Sequence, residues 1–517
     1  MFTQKVRLSL FTTIMAGMLA VTGCGNQSPT STAGDAPKAE TSAAQEQVLN
    51  IGLKSDPPSL DPAQSSATVD RMVQNSIYDK LFDLDKDGQI VPVLAESYEV
   101  SEDGKTYTLK LRQGVKFQDG TDFNAEAVKF NLDRYKEEGS KRAGEVKIIN
   151  QVTVVDPLTV KIELSQPFAP FISVLTDRSG MMASPDAVKK YGKDYLNHPV
   201  GTGPFAFVEH VTGDHVTLKK NEQYWNGDVK LDQVNFKVFT NGTAAVQNLR
   251  SGVLDMIDSV PTKEIKGLQD SGFNVVTEPS MGYFGFYLNM SKEPFTNKFL
   301  RQAVDRAIDR EAVVKVLMEG YAEPANSPFS PGNLAYGDFD KASKPNPEEI
   351  KSLLQQGGKP EGFTFKLQIG TSPKEEQFGA IVQGMLKPYN INVELEKVEF
   401  GALLDNEVSG NFQALALGWS GRPDPDQNFY DFVVKGAPYN VSRFDNDKLG
   451  ELALQARVEL DPAKRKQLYG QAMEIMHDEA GYVYVYHEAN LIAMSKNVAG
   501  FTYVPDGIIR TATIEKK

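Results

Sequence analysis

From residue 48 onward, short strand-like and helix-like segments alternate with no detectable internal repeat. Such alternation requires an α/β body, because period-two segments need a sheet and period-3.6 segments need an apolar surface to cover. Val48 to Leu53 carries Val48, Leu49, Ile51 and Leu53 and runs into Asp56-Pro57-Pro58, as a strand ending in a turn does. Tyr107 to Arg112 alternates apolar and polar residues behind Glu102-Asp103-Gly104-Lys105, which predicts a hairpin. Leu300, Ala303, Val304, Ala307 and Ile308 share one helix face, and a second helix is predicted from Asp309 as N-cap to Gly320 as its stop. Asp461 and Pro462 open a further helix with the stripe Leu468, Ala472, Ile475 and Met476. Tyr482-Val483-Tyr484-Val485-Tyr486 alternates strictly, predicting a strand with its tyrosines on one face. Those tyrosines either wall a cleft or are buried with satisfied hydroxyls. The body of about 470 residues exceeds what one hydrophobic core usually organises, so two or more lobes are expected.

The N-terminus reads as an export signal over residues 1–23: Lys5 and Arg7, then an apolar run from Leu8 to Ala20 that is too short to span a bilayer. Val21-Thr22-Gly23-Cys24 follows, small residues before a cysteine, and resembles a bacterial lipobox. Cys24 is the single cysteine in 517 residues, so it serves no internal disulfide. The lipobox implies a diacylglycerol on Cys24, and its two acyl chains would give stable attachment. The alternative is an ordinary secretory signal with an incidental cysteine. Residues 24–46 are small and polar with almost nothing to bury, a flexible tether behind the lipid.

The formal charge is −13, and losing Lys5 and Arg7 with the signal takes it to −15. An acidic body of this kind argues against nucleic acid and against a broad electrostatic membrane surface. After the signal no apolar run reaches membrane-spanning length, so membrane contact is expected through the lipid alone. Asp83 to Gly88 matches the first half of a calcium loop, but its twelfth position is Leu94, which cannot coordinate. Gly201-Thr202-Gly203-Pro204 begins like a dinucleotide fingerprint, yet Pro204 removes a needed backbone donor. His198, His210, His215, His477 and His487 lack the spacing of a zinc site, and no nucleophile arrangement is present. The sequence thus predicts no catalytic site, metal or cofactor. In Trp419 to Asp426 (WSGRPDPD), glycine and prolines make a loop, with an indole beside charges of both signs. That is a ligand-stacking surface or a solvated turn over a core tryptophan.

Several segments together resemble the family 5 extracellular solute-binding proteins, the group that includes dipeptide, oligopeptide, nickel and glutathione binders of ABC importers. They are Leu94-Ala95-Glu96-Ser97-Tyr98, Asp103-Gly104-Lys105-Thr106-Tyr107, Leu111 to Phe117 with Asp119-Gly120, Gly201-Thr202-Gly203-Pro204-Phe205, Tyr224-Trp225, Arg301-Gln302-Ala303-Val304 with Ala307-Ile308-Asp309-Arg310, and Gly418-Trp419-Ser420-Gly421. The resemblance implies a two-lobed, periplasmic-binding-protein-like α/β fold with an extra α/β subdomain on the first lobe. Lobe I would comprise 47–68, 198–284 and 488–517, the subdomain 69–197, and lobe II 285–487, with chain crossings near Phe284 to Asn289 and Tyr486 to Asn490. The turn at Gly201 would line the cleft or the connection between lobes.

By the same resemblance the chain captures a small peptide or peptide-like solute, without catalysis, between closing lobes, and passes it to the permease subunits of an ABC importer. With Cys24 this implies a monomer on the outer face of the bacterial cytoplasmic membrane. A nickel or metal-chelate receptor, and a sensor using the same fold, are the alternatives. Ligand contacts are implied at Trp419, Arg422, Asp424 and Asp426, at Ser66 and Thr68, and at Tyr283 and Phe286. Dipeptide and oligopeptide binders carry an Asp three residues after this Trp, where it pairs with the peptide α-amine. Arg422 stands there instead, and a guanidinium cannot accept from an ammonium. The expected solute therefore carries a carboxylate or phosphate, which Arg can bind bidentately, while an amine would have to reach Asp424 or Asp426. The Trp-Ser-Gly-Arg pattern is closer to the glutathione and opine-type binders.

Overall fold

Two long strands tie the molecule together. In the computed structural model, which describes residues 46–341 and 344–517, Asn274–Leu288 and Tyr482–Met494 run antiparallel and pair from Asn274 opposite Met494 to Tyr287 opposite Tyr482. The predicted export signal, Cys24 and all of the tether but Glu46 lie outside the described residues.

The first of these strands has 15 residues, against a usual length of about 5–6, because it serves both halves of one mixed sheet. At the Asn274 end the sheet continues through Met256–Ile257, Val48–Leu53, Gln233–Val238, His215–Lys220 and Phe205–Val211. At the Leu288 end it continues through Ala414–Ala416, Phe363–Ile369 and Ile391–Lys397. Pairing between the two long strands is interrupted between Pro279 and Tyr283. Each half has its own core: Leu49, Ile51, Phe236 and Ile492 belong to one apolar cluster, and Phe286, Leu288, Val304 and Leu367 to another. A separate antiparallel sheet of Ala95–Val100, Thr106–Leu111, Thr159–Leu164 and Ile149–Asp156 packs under the helix Ala125–Tyr135. Met181, Ala183 and Tyr195 join this segment to the first core. The fold is two-lobed α/β with an extra subdomain.

Local chemistry explains the elements. Val48–Leu53 lies between parallel neighbours, so Leu49, Ile51, Gly52 and Leu53 are all buried rather than alternating. Ala95–Val100 pairs with Thr106–Leu111 as a hairpin, and Gly104 takes φ +67° in the turn, where a side chain would be strained. Asp309 caps Arg310–Leu317 by accepting from the Ala312 amide, and that helix stops three residues short of Gly320. Asp461 caps Pro462–Glu479 through the amides of Ala463 and Lys464. Asp83 sits in the hairpin Phe82–Leu84 with Ile90–Pro92 and pairs with Lys80 at 2.6 Å and Arg510 at 2.7 Å. The Gly201 turn packs on Ile77 and Tyr78, where a Cβ on Gly201 would meet the Ile77 carbonyl oxygen at 2.2 Å.

The tyrosine strand departs from its pattern. Gly285 faces Tyr484 and Phe284 faces Tyr486, so Val485 is an extra residue in a β-bulge. The bulge turns Tyr486 onto the Val483 and Val485 face, stacked on Phe284 at 5.4 Å, while Tyr482 and Tyr484 join Tyr283 and Tyr287 on the other face. All three tyrosines are buried. The Tyr482 hydroxyl donates to the Leu417 carbonyl at 2.7 Å, whereas that of Tyr486 has no partner among the described residues.

Candidate ligand-binding cleft

The loop after Ala414–Ala416 is fastened beside the break in the long strand. Trp419 and Tyr283 exchange backbone hydrogen bonds of 2.9 and 3.0 Å. Gly421, at φ +74°, lies so close to Met281 that a Cβ would meet the Met281 carbonyl oxygen at 2.0 Å. Asn428 holds the loop from below: its side-chain oxygen accepts from the Trp419 Nε1 at 3.0 Å and from the Arg422 amide at 2.8 Å, and its amide donates to the Arg422 carbonyl at 2.8 Å. The half-buried indole of Trp419 packs on Phe432 and Tyr439 with ring centroids 5.1 and 5.6 Å away, and the Arg422 guanidinium lies 4.7 Å from its ring.

Arg422 reaches across to the segment at 168–182. Its Nε lies 3.1 Å from Asp177 Oδ2, an oxygen that Arg71 Nη1 also approaches at 3.1 Å and Arg178 Nη1 at 3.7 Å. Arg178 donates from Nε to Ser65 Oγ at 2.7 Å and from Nη2 to the Ala67 carbonyl at 3.0 Å. Arg142 pairs with Glu145 and donates to the Ser65 carbonyl at 3.0 Å. Burial alone would raise the Asp177 carboxyl, but Arg71, Arg422, Arg178 and Arg142 hold it well below the usual range. Burial lowers Arg178 to about 9, with Arg71, Arg142 and Arg422 adding to the effect against Asp177. A cavity of about 20 Å³, lined by Arg71, Thr176, Asp177, Met281, Gly421 and Arg422, has room for one water. The segment 168–182 also meets the loop through Ser173 Oγ donating to Gln427 at 2.9 Å, and the helix Asp447–Val458 through the Ala169 amide donating to the Arg457 carbonyl at 3.0 Å. The cleft is closed at this point.

The structure brings Trp419 and Arg422 together and gives the other expected contacts different surroundings. Both Asp424 oxygens are taken by Arg465 at 2.7 and 2.9 Å, and both Asp426 oxygens by Arg457 at 2.8 and 2.9 Å. Burial raises Asp426 to about 6 against the pull of Arg457. Tyr283 lies under the loop in the tyrosine cluster, whereas Phe286, three residues on, points to the opposite face of the sheet and packs on Phe378. Ser66 is exposed and Thr68 half-buried at the start of the helix Thr68–Ile77; it is Ser65, fully buried, that meets the arginines. Arg71, Arg142, Arg178 and Asp177 escaped sequence reading because single charged residues in or beside short helices are ordinary. The one available signal was the charged pair Asp177-Arg178 inside the apolar stretch Phe168 to Met182. Among the described residues no helix is long and apolar enough to cross a membrane, and no three His, Cys, Asp or Glu side chains are grouped to hold a metal.

Residues 89–440 match the family described as bacterial extracellular solute-binding proteins, family 5. The glutathione-binding protein GsiB of Escherichia coli O1:K1 is 35% identical over 483 residues, covering 90% of this chain and 93% of that protein. Among solved structures, the periplasmic binding protein DppA from Helicobacter pylori in complex with the peptide STSA superposes with a TM-score of 0.81 at 26% identity, over 91% of this chain and 98% of that one. The binding protein AgaA from A. tumefaciens R10, in complex with agropinic acid, gives the same TM-score and identity over 91% and 99%. DppA is an ABC transporter-associated binding protein, and the matched family is one of solute-binding proteins rather than enzymes. With the loop, the closed cleft and the match in agreement, this chain belongs to the family 5 extracellular solute-binding proteins.

Proposed function

We propose that this chain is the capture subunit of a bacterial ABC importer for a peptide-like solute with an acidic group. The observation that carries the reading is Arg422, stacked on Trp419 and buried at the cleft. Its Nη2 makes no hydrogen bond among the described residues, which leaves a donor for a carboxylate or phosphate. Trp419 and Tyr439 supply the apolar contact, and Asp424 and Asp426 hold the loop through Arg465 and Arg457. The similarity to a glutathione-binding protein and to a binding protein in complex with agropinic acid supports an acidic solute.

We assign the lobes as 47–68 with 198–284 and 488–517, the subdomain as 69–197, and the second lobe as 285–487; the separate apolar clusters on either side of the interrupted strand pair support this division. Attachment through a lipid on Cys24, a monomeric state and delivery to permease subunits complete the proposal. A thermal-shift screen over dipeptides, γ-glutamyl peptides, opines and metal chelates tests it, since a solute that binds only the folded state raises its melting temperature. Stabilisation by an acidic peptide-like compound, lost in Arg422→Ala, is expected. No shift with any such compound would overturn the reading.

A further inference from the structure

We propose that the solute carries two acidic groups, both met by guanidinium groups, and that its recognition uses no amine. This rests on the receptor reading above. Arg71, Arg142, Arg178 and Arg422 gather around two carboxylates, Asp177 and Glu145, so the cluster holds two positive charges in excess. The four arginines are 6, 4, 2 and 8% exposed, and charge buried to that degree is costly unless an opposite charge meets it. The lowering of Arg178 to about 9, by burial first and then by its arginine neighbours, agrees with an excess of positive charge.

Hydrogen bonding gives the same result independently. The buried Nε atoms of Arg71 and Arg142 have no acceptor among the described residues. The two arginines have different partners: Arg71 approaches Asp177, and Arg142 approaches Glu145 and Ser65. A single carboxylate, with one negative charge, cannot neutralise both excess charges, whereas two carboxylates can.

The carboxylates on the loop and in the arginine group are already engaged by guanidinium groups. Asp424 and Asp426 are committed to Arg465 and Arg457. Asp177 Oδ1 accepts from the Arg178 amide, and its Oδ2 is shared by arginines. Glu145 takes Arg142 and the Ser179 hydroxyl. Asp431, further out, faces Arg457 and Lys147.

The test is calorimetric titration of the detergent-solubilised full chain with three probes: Ala-Glu, its uncharged-side-chain counterpart Ala-Gln, and N-acetyl-Ala-Glu. Ala-Glu is expected to bind at least about ten-fold more tightly than Ala-Gln, because only it brings the second carboxylate to a desolvated guanidinium. N-acetyl-Ala-Glu is expected to bind at least as well as Ala-Glu. Equal binding of Ala-Glu and Ala-Gln, or loss of binding on acetylation, overturns the inference while leaving a peptide-like receptor standing. If none of the three binds, the inference falls, while the receptor reading is decided by the broader thermal-shift screen above.

Discussion

Arg422 Nε and Asp177 Oδ2 lie 3.1 Å apart on opposite sides of the cleft, each side chain only 10% exposed. The pair joins two segments far apart in sequence, and it is strengthened by the low dielectric around it and by the indole beside Arg422.

Removing the acid should therefore favour opening. In Asp177→Asn, Arg422 and Arg71 lose their shared counter-charge and repel each other across the seam. Small-angle scattering of the ligand-free variant should show a larger radius of gyration than the parent protein. An unchanged radius would show that the pair contributes nothing to closure.

Arg457→Ala should destabilise the protein by about 3–5 kcal/mol at pH 8, because it leaves the buried Asp426 carboxylate without its bidentate partner. Asp426 already sits at about 6 with the arginine present, raised by burial. Without Arg457 its folded-state value rises further, so the folded protein holds a proton that the unfolded chain releases. The loss should accordingly be smaller at pH 5 than at pH 8. Urea midpoints at the two pH values check both the size and the direction.

Glu407 gives a second pH dependence, on the helix Phe400–Ser409. Burial raises its carboxyl from 4.5 to about 7. Between those values the folded state keeps a proton the unfolded state has lost, so stability falls as pH rises through this window and levels off above it. By roughly 1.4 kcal/mol per pH unit the cost reaches at most about 3.5 kcal/mol. Glu407→Gln should raise the urea midpoint at pH 8 and leave it nearly unchanged at pH 5.

The chain has two tryptophans, and only one of them lies on the cleft loop, so the loop can be followed optically. Trp419 lies beside Arg422, whereas the Trp225 Nε1 donates to Asp79 at 2.7 Å. A solute that seats on the loop should change tryptophan emission in Trp225→Phe and leave it unchanged in Trp419→Phe. Emission changes of equal size in both variants would place the solute elsewhere.

Much of the fold was legible because its signals are local. Strand Val48–Leu53, the hairpin at Gly104 and the caps at Asp309 and Asp461 follow from residues within a few positions of one another. The tyrosine strand was less so: alternation predicted one face, but the Val485 bulge turned Tyr486 to the other, and the cause lies on the partner strand, where Gly285 admits the close approach of Val483. At the cleft, the loop and the departure at Arg422 could be read from the chain. The surroundings of Asp424 and Asp426 could not, because Arg465 and Arg457 come from helices further along.

By itself, then, the sequence determined the α/β alternation, the family motifs and an arginine where an acid is usual, since each depends on residue type and short spacing. Only the tertiary structure decided which charges Arg422 would meet. Asp177, Arg71, Arg142 and Arg178 come together through the packing of separate segments, and no periodicity within one segment encodes a partner in another. Burial then sets their energetics, because desolvation turns ordinary surface residue types into a cluster whose charges must be met.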